Sequence, residues 1–404
     1  MHRPLPILAR RIAVLFAVLA CALVWTRSAA AYPWMIRTGQ GPCANCHVDP
    51  SGSGILTAYG RVQGDMVLRD HYTANGKGSA DGLSKTRGFL WGAVDLPSWL
   101  LLSGSYRGML LDSRPPSPAP EIRRFVQMQA DLKVAVRPGI FRASASLGYA
   151  RGGALSAALT TRDRDNLVSR EHWVGVALAD DAVLLRAGRL ALPFGLRNIE
   201  HNAYVRAATR TDLNDAQQYG LALAYSDPRS RGELMAIVGN LALHPDDYRE
   251  RGYSALFEFF VDEHVGVGVS SLRAQALRDL KTRVSYVRQA HGVFVRASPW
   301  EPLVLLLEAD ALLLSPDNGT TSAGYTGMLQ ADFEVRQGLH VMLTGEALRP
   351  PQPDARPSLG GWLTVDWFFF PHLDLRADAI QSRVAAGDAN VSVTTFLLQL
   401  HAYL

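Results

Sequence analysis

The stretch Thr326-Gly327-Met328-Leu329-Gln330-Ala331-Asp332-Phe333-Glu334-Val335-Arg336 changes character at every step. Gly327, Leu329, Ala331, Phe333 and Val335 fall on one face of an extended chain. Thr326, Met328, Gln330, Asp332, Glu334 and Arg336 fall on the other. Successive side chains of a strand point to opposite faces, so this spacing predicts a strand with one apolar and one polar face. Residues 303–313 repeat it, with Leu303, Leu305, Leu307, Ala309, Ala311 and Leu313 outward and Glu308 and Asp310 inward. In residues 126–136, Val126, Met128, Ala130, Leu132, Val134 and Val136 oppose Gln127, Gln129, Asp131 and Lys133. An apolar face backed by a charged one suits a wall between lipid and a wet lumen. A water-soluble sandwich also alternates, so the connections have to decide.

Short turns occur near residues 137–139, 180–181, 227–229, 262–263, 299–301, 337–338 and 371–372. Longer polar loops lie near 113–121, 152–166, 198–216, 244–251, 277–281, 315–323, 350–358 and 386–390. Seven short turns alternating with eight longer loops delimit sixteen strands, from about Ser98–Asp112 to Val391–Leu404. An even count with both ends on the short-turn side is what a bacterial outer-membrane barrel requires. The expected fold is therefore all-β, a transmembrane antiparallel barrel of about sixteen strands over residues 97–404. In the last strand Phe396, Leu398, Leu400, Ala402 and Leu404 alternate apolar up to the chain end. A closed barrel leaves no strand edge, which allows such a strand to end in lipid.

The chain has 404 residues, 19% charged, with a formal net charge of +4. Its basic side chains are nearly all arginine, and no Lys/Arg tract or basic-aromatic module points to nucleic acid. Residues 1–31 read as an export signal: His2, Arg3, Arg10 and Arg11 precede an apolar run from Ile12 to Trp25, then Ser28-Ala29-Ala30-Ala31. As a membrane helix that run is short of the roughly 20 residues needed. Lipoprotein processing at Cys21 is the weaker alternative.

Behind the signal stands Cys43-Ala44-Asn45-Cys46-His47. Cys-x-x-Cys-His is the attachment pattern of a c-type haem, whose vinyl groups add to both thiols while the histidine becomes an axial iron ligand. Half of a zinc or redox site is the competing reading, but the chain has no second Cys-x-x-Cys pair. Residues 32–72 then form a haem c segment, with a turn-rich loop over Val48–Gly54 and a short helix over Ile55–Leu68. That helix would set Leu56, Tyr59, Val62 and Met66 near one face. Residues 73–96 form a linker, polar and Gly-rich over 73–86. So small a segment needs a staple, or the rest of the protein to pack against. His71 or Met66 is the expected sixth iron ligand, with Met35 a third candidate.

Farther on, Arg186-Ala-Gly-Arg189-Leu-Ala-Leu-Pro193-Phe194-Gly195-Leu196-Arg197 ends a strand and opens the third long loop. The loop continues through Glu200, His201, Tyr204, Arg206, Arg210, Asp212 and Asp215. This Gly-Arg…Pro-Phe-Gly…Arg stretch resembles one found in many outer-membrane porins, including anion-selective ones. There the third loop folds inward and constricts the pore. The resemblance makes Arg197, Glu200, His201, Arg206 and Arg210 constriction candidates; a solvated external loop is the alternative. Lys133, Arg186 and Arg197 would form a basic wall, opposed by Glu308, Asp310, Asp332, Glu334 and Glu346, since opposed charges tune pore selectivity.

Taken whole, the mature chain resembles the bacterial outer-membrane barrels that carry an N-terminal monohaem cytochrome c motif. The pattern rests on Cys43–His47, Pro50, Gly52, Gly54 and Tyr59-Gly60-Arg61. The resemblance implies one covalent haem, electron transfer with periplasmic cytochromes, and a haem segment on the periplasmic side of the outer membrane. The end of the chain resembles the strand that the barrel-insertion machinery recognises, with Leu404 in place of the usual Phe. The alternative is a diffusion porin in which the haem segment is a plug or sensor. Catalysis has no separate support: His172, His244, His264, His340 and His401 show no metal spacing, and no Ser/His/Asp set or HExxH is present. The expectation is an electron carrier or porin rather than an enzyme.

Overall fold

The computed structural model describes residues 32–68 and 89–404, apart from 40, 150–166, 201, 214–215, 242, 280–282, 318, 371 and 387–388. The signal, the polar part of the linker, His71 and His201 lie outside the described residues. Sixteen antiparallel strands close on themselves. They are β1 (Leu100–Arg114), β2 (Ile122–Val136), β3 (Phe141–Tyr149), β4 in two pieces (Leu167–Val168 and His172–Leu178) and β5 (Val183–Leu190). Next come β6 (Gln218–Ser226), β7 (Ser230–Gly239), β8 (Arg251–Asp262), β9 (Val265–Ala276), β10 (Tyr286–Trp300) and β11 (Leu303–Pro316). The last five are β12 (Ser322–Arg336), β13 (Leu339–Arg349), β14 (Ser358–Phe370), β15 (Leu373–Ala386) and β16 (Ala389–Tyr403). Every strand pairs with its sequence neighbours, and β16 closes on β1 from Ser105–Tyr403 to Arg114–Thr394. Closure removes the exposed edges that an open sheet of this size would present.

The period-two faces are as the sequence predicts on β11 and β12. Thr326, Met328, Gln330 and Asp332 are buried in the lumen, whereas Leu329, Phe333 and Val335 face out. The outer face carries aromatic residues near both rims. Trp99, Phe141, Trp300, Trp367 and Phe370 lie toward the short turns; Phe125, Tyr149, Tyr253, Tyr325 and Phe396 lie toward the loops. Two such girdles flank the apolar band of membrane barrels.

On β2 the expectation of one unbroken face fails. Arg107 pairs with Gln129 and Gly108 with Gln127, so Met128 is the extra residue of a bulge. Beyond it Val126 and Met128 turn inward against Met109 and Leu397, and Phe125 faces out. A bulge reverses the alternation, which no periodicity count reveals. The loop expected at 386–390 is also much shorter, because β15 runs to Ala386 and β16 begins at Ala389.

Candidate functional site

The haem-motif segment lies inside the barrel, at the short-turn end. Its first turn, a 3-10 helix over Pro33–Thr38, buries Trp34, Met35 and Ile36 against Phe294, Val304, Leu306, Met328 and Met342, which point inward from β10 to β13. On the other side, Val48 and Ile55 pack with Leu101, Ala135, Trp173 and Leu184 from β1, β2, β4 and β5. About forty residues could not hold a core alone, and the barrel supplies it. Arg37 fixes the near end. Its guanidinium meets Asp332 at 2.6 Å and Glu334 at 3.0 Å, and lies 5.0 Å from the Trp34 ring centroid. Asp49 fixes the far end through Arg186, 2.7 Å away, while its carboxylate also accepts from Ser51 N and Ser53 Oγ.

Local chemistry shapes the motif itself. The His47 amide donates to Cys43 O at 2.9 Å, giving one tight turn over the two cysteines. The chain then loops through Gly52 and Gly54, both left-handed (φ +89° and +76°), and returns so that Val48 N donates to Ile55 O and Thr57 N to Cys46 O. Helix α1 (Ala58–Val67) starts at Thr57, whose hydroxyl accepts from Gly60 N and donates to Asn45 O. The helix is shorter than predicted and presents a different face. Tyr59 is 38% exposed, and Gly60 packs on the motif so closely that a Cβ would overlap the Cys46 carbonyl. The N-cap and this contact decide its rotation, not the apolar spacing. Cys43 and Cys46 are buried free thiols, and burial, with Cys43 beside it, pushes the Cys46 thiol up to about 12.

A cavity opens beside His47, lined by Gly52, Gly54, Gly60 and Gly64 of the segment together with Tyr32, Met35 and Leu56. The glycines leave a wall without side chains beside the imidazole, a shape that suits a flat macrocycle, and Cys43 Sγ packs against that wall, 3.1 Å from where a Cβ at Gly52 would lie. Of the sixth-ligand candidates, Met35 lines the cavity. Met66 sits on α1 but its side chain, like the whole of His71, is outside the described residues. His372 and His401 also line the cavity from the wall, which scattered sequence positions could not foretell. His401 is already engaged by Asp374 at 2.8 Å and Ser105 at 3.1 Å.

The porin-like stretch turns inward above the segment. Leu190, Leu192 and Phe194 join the apolar cluster that holds Val48 and Ile55. Gly195 has φ +58°, and a Cβ there would overlap Glu308. Arg206, on the short helix α2 (Tyr204–Thr209), pairs with Glu308, which also accepts from Leu196 N. Glu200 meets Arg376 at 3.0 Å, and Glu346 accepts from Tyr204 N at 2.7 Å. Arg210 reaches Asp279 at 2.8 Å and Glu250 at 3.3 Å. Thus much of the expected acidic wall anchors inserted segments: Glu308 and Glu346 hold the loop, Asp332 and Glu334 hold Arg37. Arg186, expected on a basic wall, is taken up by Asp49 and Glu233. Lys133 lines the cavity. Arg197 is 6% exposed and donates to Ser51 O at 2.9 Å and to Leu192 O. Burial, with Arg206 nearby, pushes Arg197 down to about 10.

No protein-family model and no curated protein matches the sequence. Solved structures do match the fold. Outer-membrane OmpT of Vibrio cholerae superposes with a TM-score of 0.59 at 9% identity, over 77% of this chain and 99% of that one. The anion-selective porin from Comamonas acidovorans gives 0.56 at 11%, over 76% and 99%. The outer-membrane channel DcaP of Acinetobacter baumannii gives 0.55 at 11%, over 76% and 97%. Identities this low speak for architecture alone: the chain has the sixteen-stranded barrel of the outer-membrane porins, and it folds a Cys-x-x-Cys-His segment into the lumen.

Proposed function

We propose that this chain is an outer-membrane cytochrome-barrel, carrying one c-type haem on Cys43 and Cys46 with His47 as axial ligand. The single observation that carries the reading is the wall-to-wall docking of residues 32–68 across the lumen, with His47 lining a glycine-walled cavity. The outer band and its girdles support placement in outer-membrane lipid, and the short-turn end would face the periplasm. When bound, the haem supplies a one-electron couple. His47 and the cysteines would hold it, Met35 would face it from the first turn, and the surrounding wall would keep bulk water from the iron. Periplasmic cytochromes would exchange electrons at that end, and the barrel-insertion machinery would read β16. A single haem cannot cross a hydrocarbon core of about 30 Å, so passage to the outside would need a second redox protein in the lumen or outside.

The competing reading is a diffusion porin with a plug, favoured by the inward loop that the porin-like stretch forms. Stopped-flow mixing of the purified, oxidised protein with a reduced soluble c-type cytochrome separates the two. Rapid reduction of the barrel's haem band supports electron transfer. A haem that stays oxidised, together with steady bilayer conductance from the full-length protein, supports the plugged porin.

A further inference from the structure

Several buried guanidiniums near the lumen segment sit on carboxylates. Arg37 has Asp332 and Glu334, Arg186 has Asp49 and Glu233, Arg206 has Glu308, and Arg231 and Arg296 share Glu258. Arg197 is different. Its Nε and one Nη donate to the carbonyls of Ser51 and Leu192, its Nη1 is buried with no hydrogen-bond partner, and among the described residues Asp49 and Glu233 act on it only through space, without an ion pair. Proteins rarely bury a charge without a counter-ion, because desolvation is then uncompensated. The side chain lines the same cavity as His47, with Arg61, Lys133, Arg107 and Arg170 around it. Two carboxylates share that wall, Asp212 and Glu171, and Glu171 accepts from Ser144 Oγ. A cavity wall with several basic side chains, of which Arg197 is held by no ion pair among the described residues, suits an anion.

We infer that Arg197 is a carboxylate-binding residue whose guanidinium receives a propionate of the haem held by Cys43 and Cys46. The inference rests on the haem reading above and adds a role to it. The last arginine of the porin-like stretch serves the haem chamber instead of an open constriction, and it sets the charge beside the iron. With Nε and the other Nη held by backbone carbonyls, Nη1 is the nitrogen left to make a charge-assisted hydrogen bond to a carboxylate. A cation near the iron favours the reduced state, so its removal should favour the oxidised one.

The test is a spectroelectrochemical titration of purified holoprotein, with haem content fixed first by pyridine haemochrome. Arg197→Gln should keep its c-type haem and lower the reduction equilibrium constant about tenfold, a shift of ~59 mV to more negative potential for a one-electron couple. Arg197→Lys keeps the charge and should stay near the wild type, while the haem propionate bending mode in resonance Raman shifts. An unchanged potential in Arg197→Gln, or an unchanged propionate mode in Arg197→Lys, would overturn the assignment. If Arg197→Gln fails to fold, the Lys variant still decides. A midpoint that moves on adding acetate or inorganic phosphate to the wild type would mean that a free anion occupies the site, and would also overturn it. Absence of haem from the wild type itself would sink the underlying reading, a separate and visible outcome.

Discussion

Replacing Arg37 by alanine should loosen the lumen segment while leaving the barrel intact. Arg37 is 3% exposed and lies 2.6 Å from Asp332, whose side chain is fully buried. Removing one partner of a buried pair generally costs about 3–5 kcal/mol, because the other charge is left uncompensated. Two features favour the lower end: Glu334 keeps some solvent contact, and His340 Nδ1 stays 3.1 Å from Asp332. About 3 kcal/mol, at 1.4 kcal/mol per tenfold, is roughly a 100-fold shift toward the undocked segment. Trp34, Met35 and Ile36 still bury apolar surface worth ~1.5–3 kcal/mol each, so the segment remains mostly docked. Adding Trp34→Ala, at a further ~3–5 kcal/mol, should bring release into view. Limited proteolysis of the folded barrel in detergent reads this directly, since slow cleavage tracks the open population. Cleavage within residues 32–68 should accelerate about 100-fold in Arg37→Ala and more in the double variant, with heat-modifiable gel mobility unchanged. Equal cleavage rates in all three proteins would refute the claim that these lumen contacts hold the segment.

Three further outcomes follow from the same contacts. Gly60→Val places a side chain where the Cys46 carbonyl lies, so α1 cannot seat on the motif; covalent haem per barrel should fall severalfold by haem staining, and full loading would argue against this packing. With Met35 as the sixth ligand, Met35→Ala should abolish the weak red band of a thioether-ligated ferric haem and lower the potential; an unaltered spectrum would leave the sixth position to His71 or Met66. Gly195→Val conflicts both with φ +58° and with Glu308, so the inward loop should detach. Bilayer recordings should then show higher conductance, provided residues 32–68 are also deleted; an unchanged current would place the loop outside the conducting path.

The wall was legible in the sequence because apolar and polar faces alternate on strand after strand while short turns alternate with longer loops, a combination that a membrane barrel imposes and a sandwich does not. Its exceptions were not legible. The bulge at Met128 depends on how β1 and β2 pair across it, and pairing is not a property of either strand alone. Cys43, Cys46 and His47 could be picked out because covalent chemistry demands those residues in that order. Their location could not, since the docking surfaces of Trp34 and Val48 are scattered over strands from β1 to β14. The charges of the lumen show the same limit. Glu308 and Asp332 look alike as inward acids, yet one anchors Arg206 and the other Arg37. The helix after the motif was placed well but rotated wrongly, because Gly60 carries no hydrophobic signal and still makes the closest contact.

The central claim, a haem covalently held on Cys43 and Cys46 within the barrel, is tested most directly by intact mass and pyridine haemochrome spectra of the same purified sample, expressed with the c-type maturation machinery. The account predicts a chain one haem heavier than the mature polypeptide, a c-type α band, and loss of both in Cys43→Ala/Cys46→Ala with the barrel still folded. A wild-type chain at the bare polypeptide mass, with no c-type band, would contradict it.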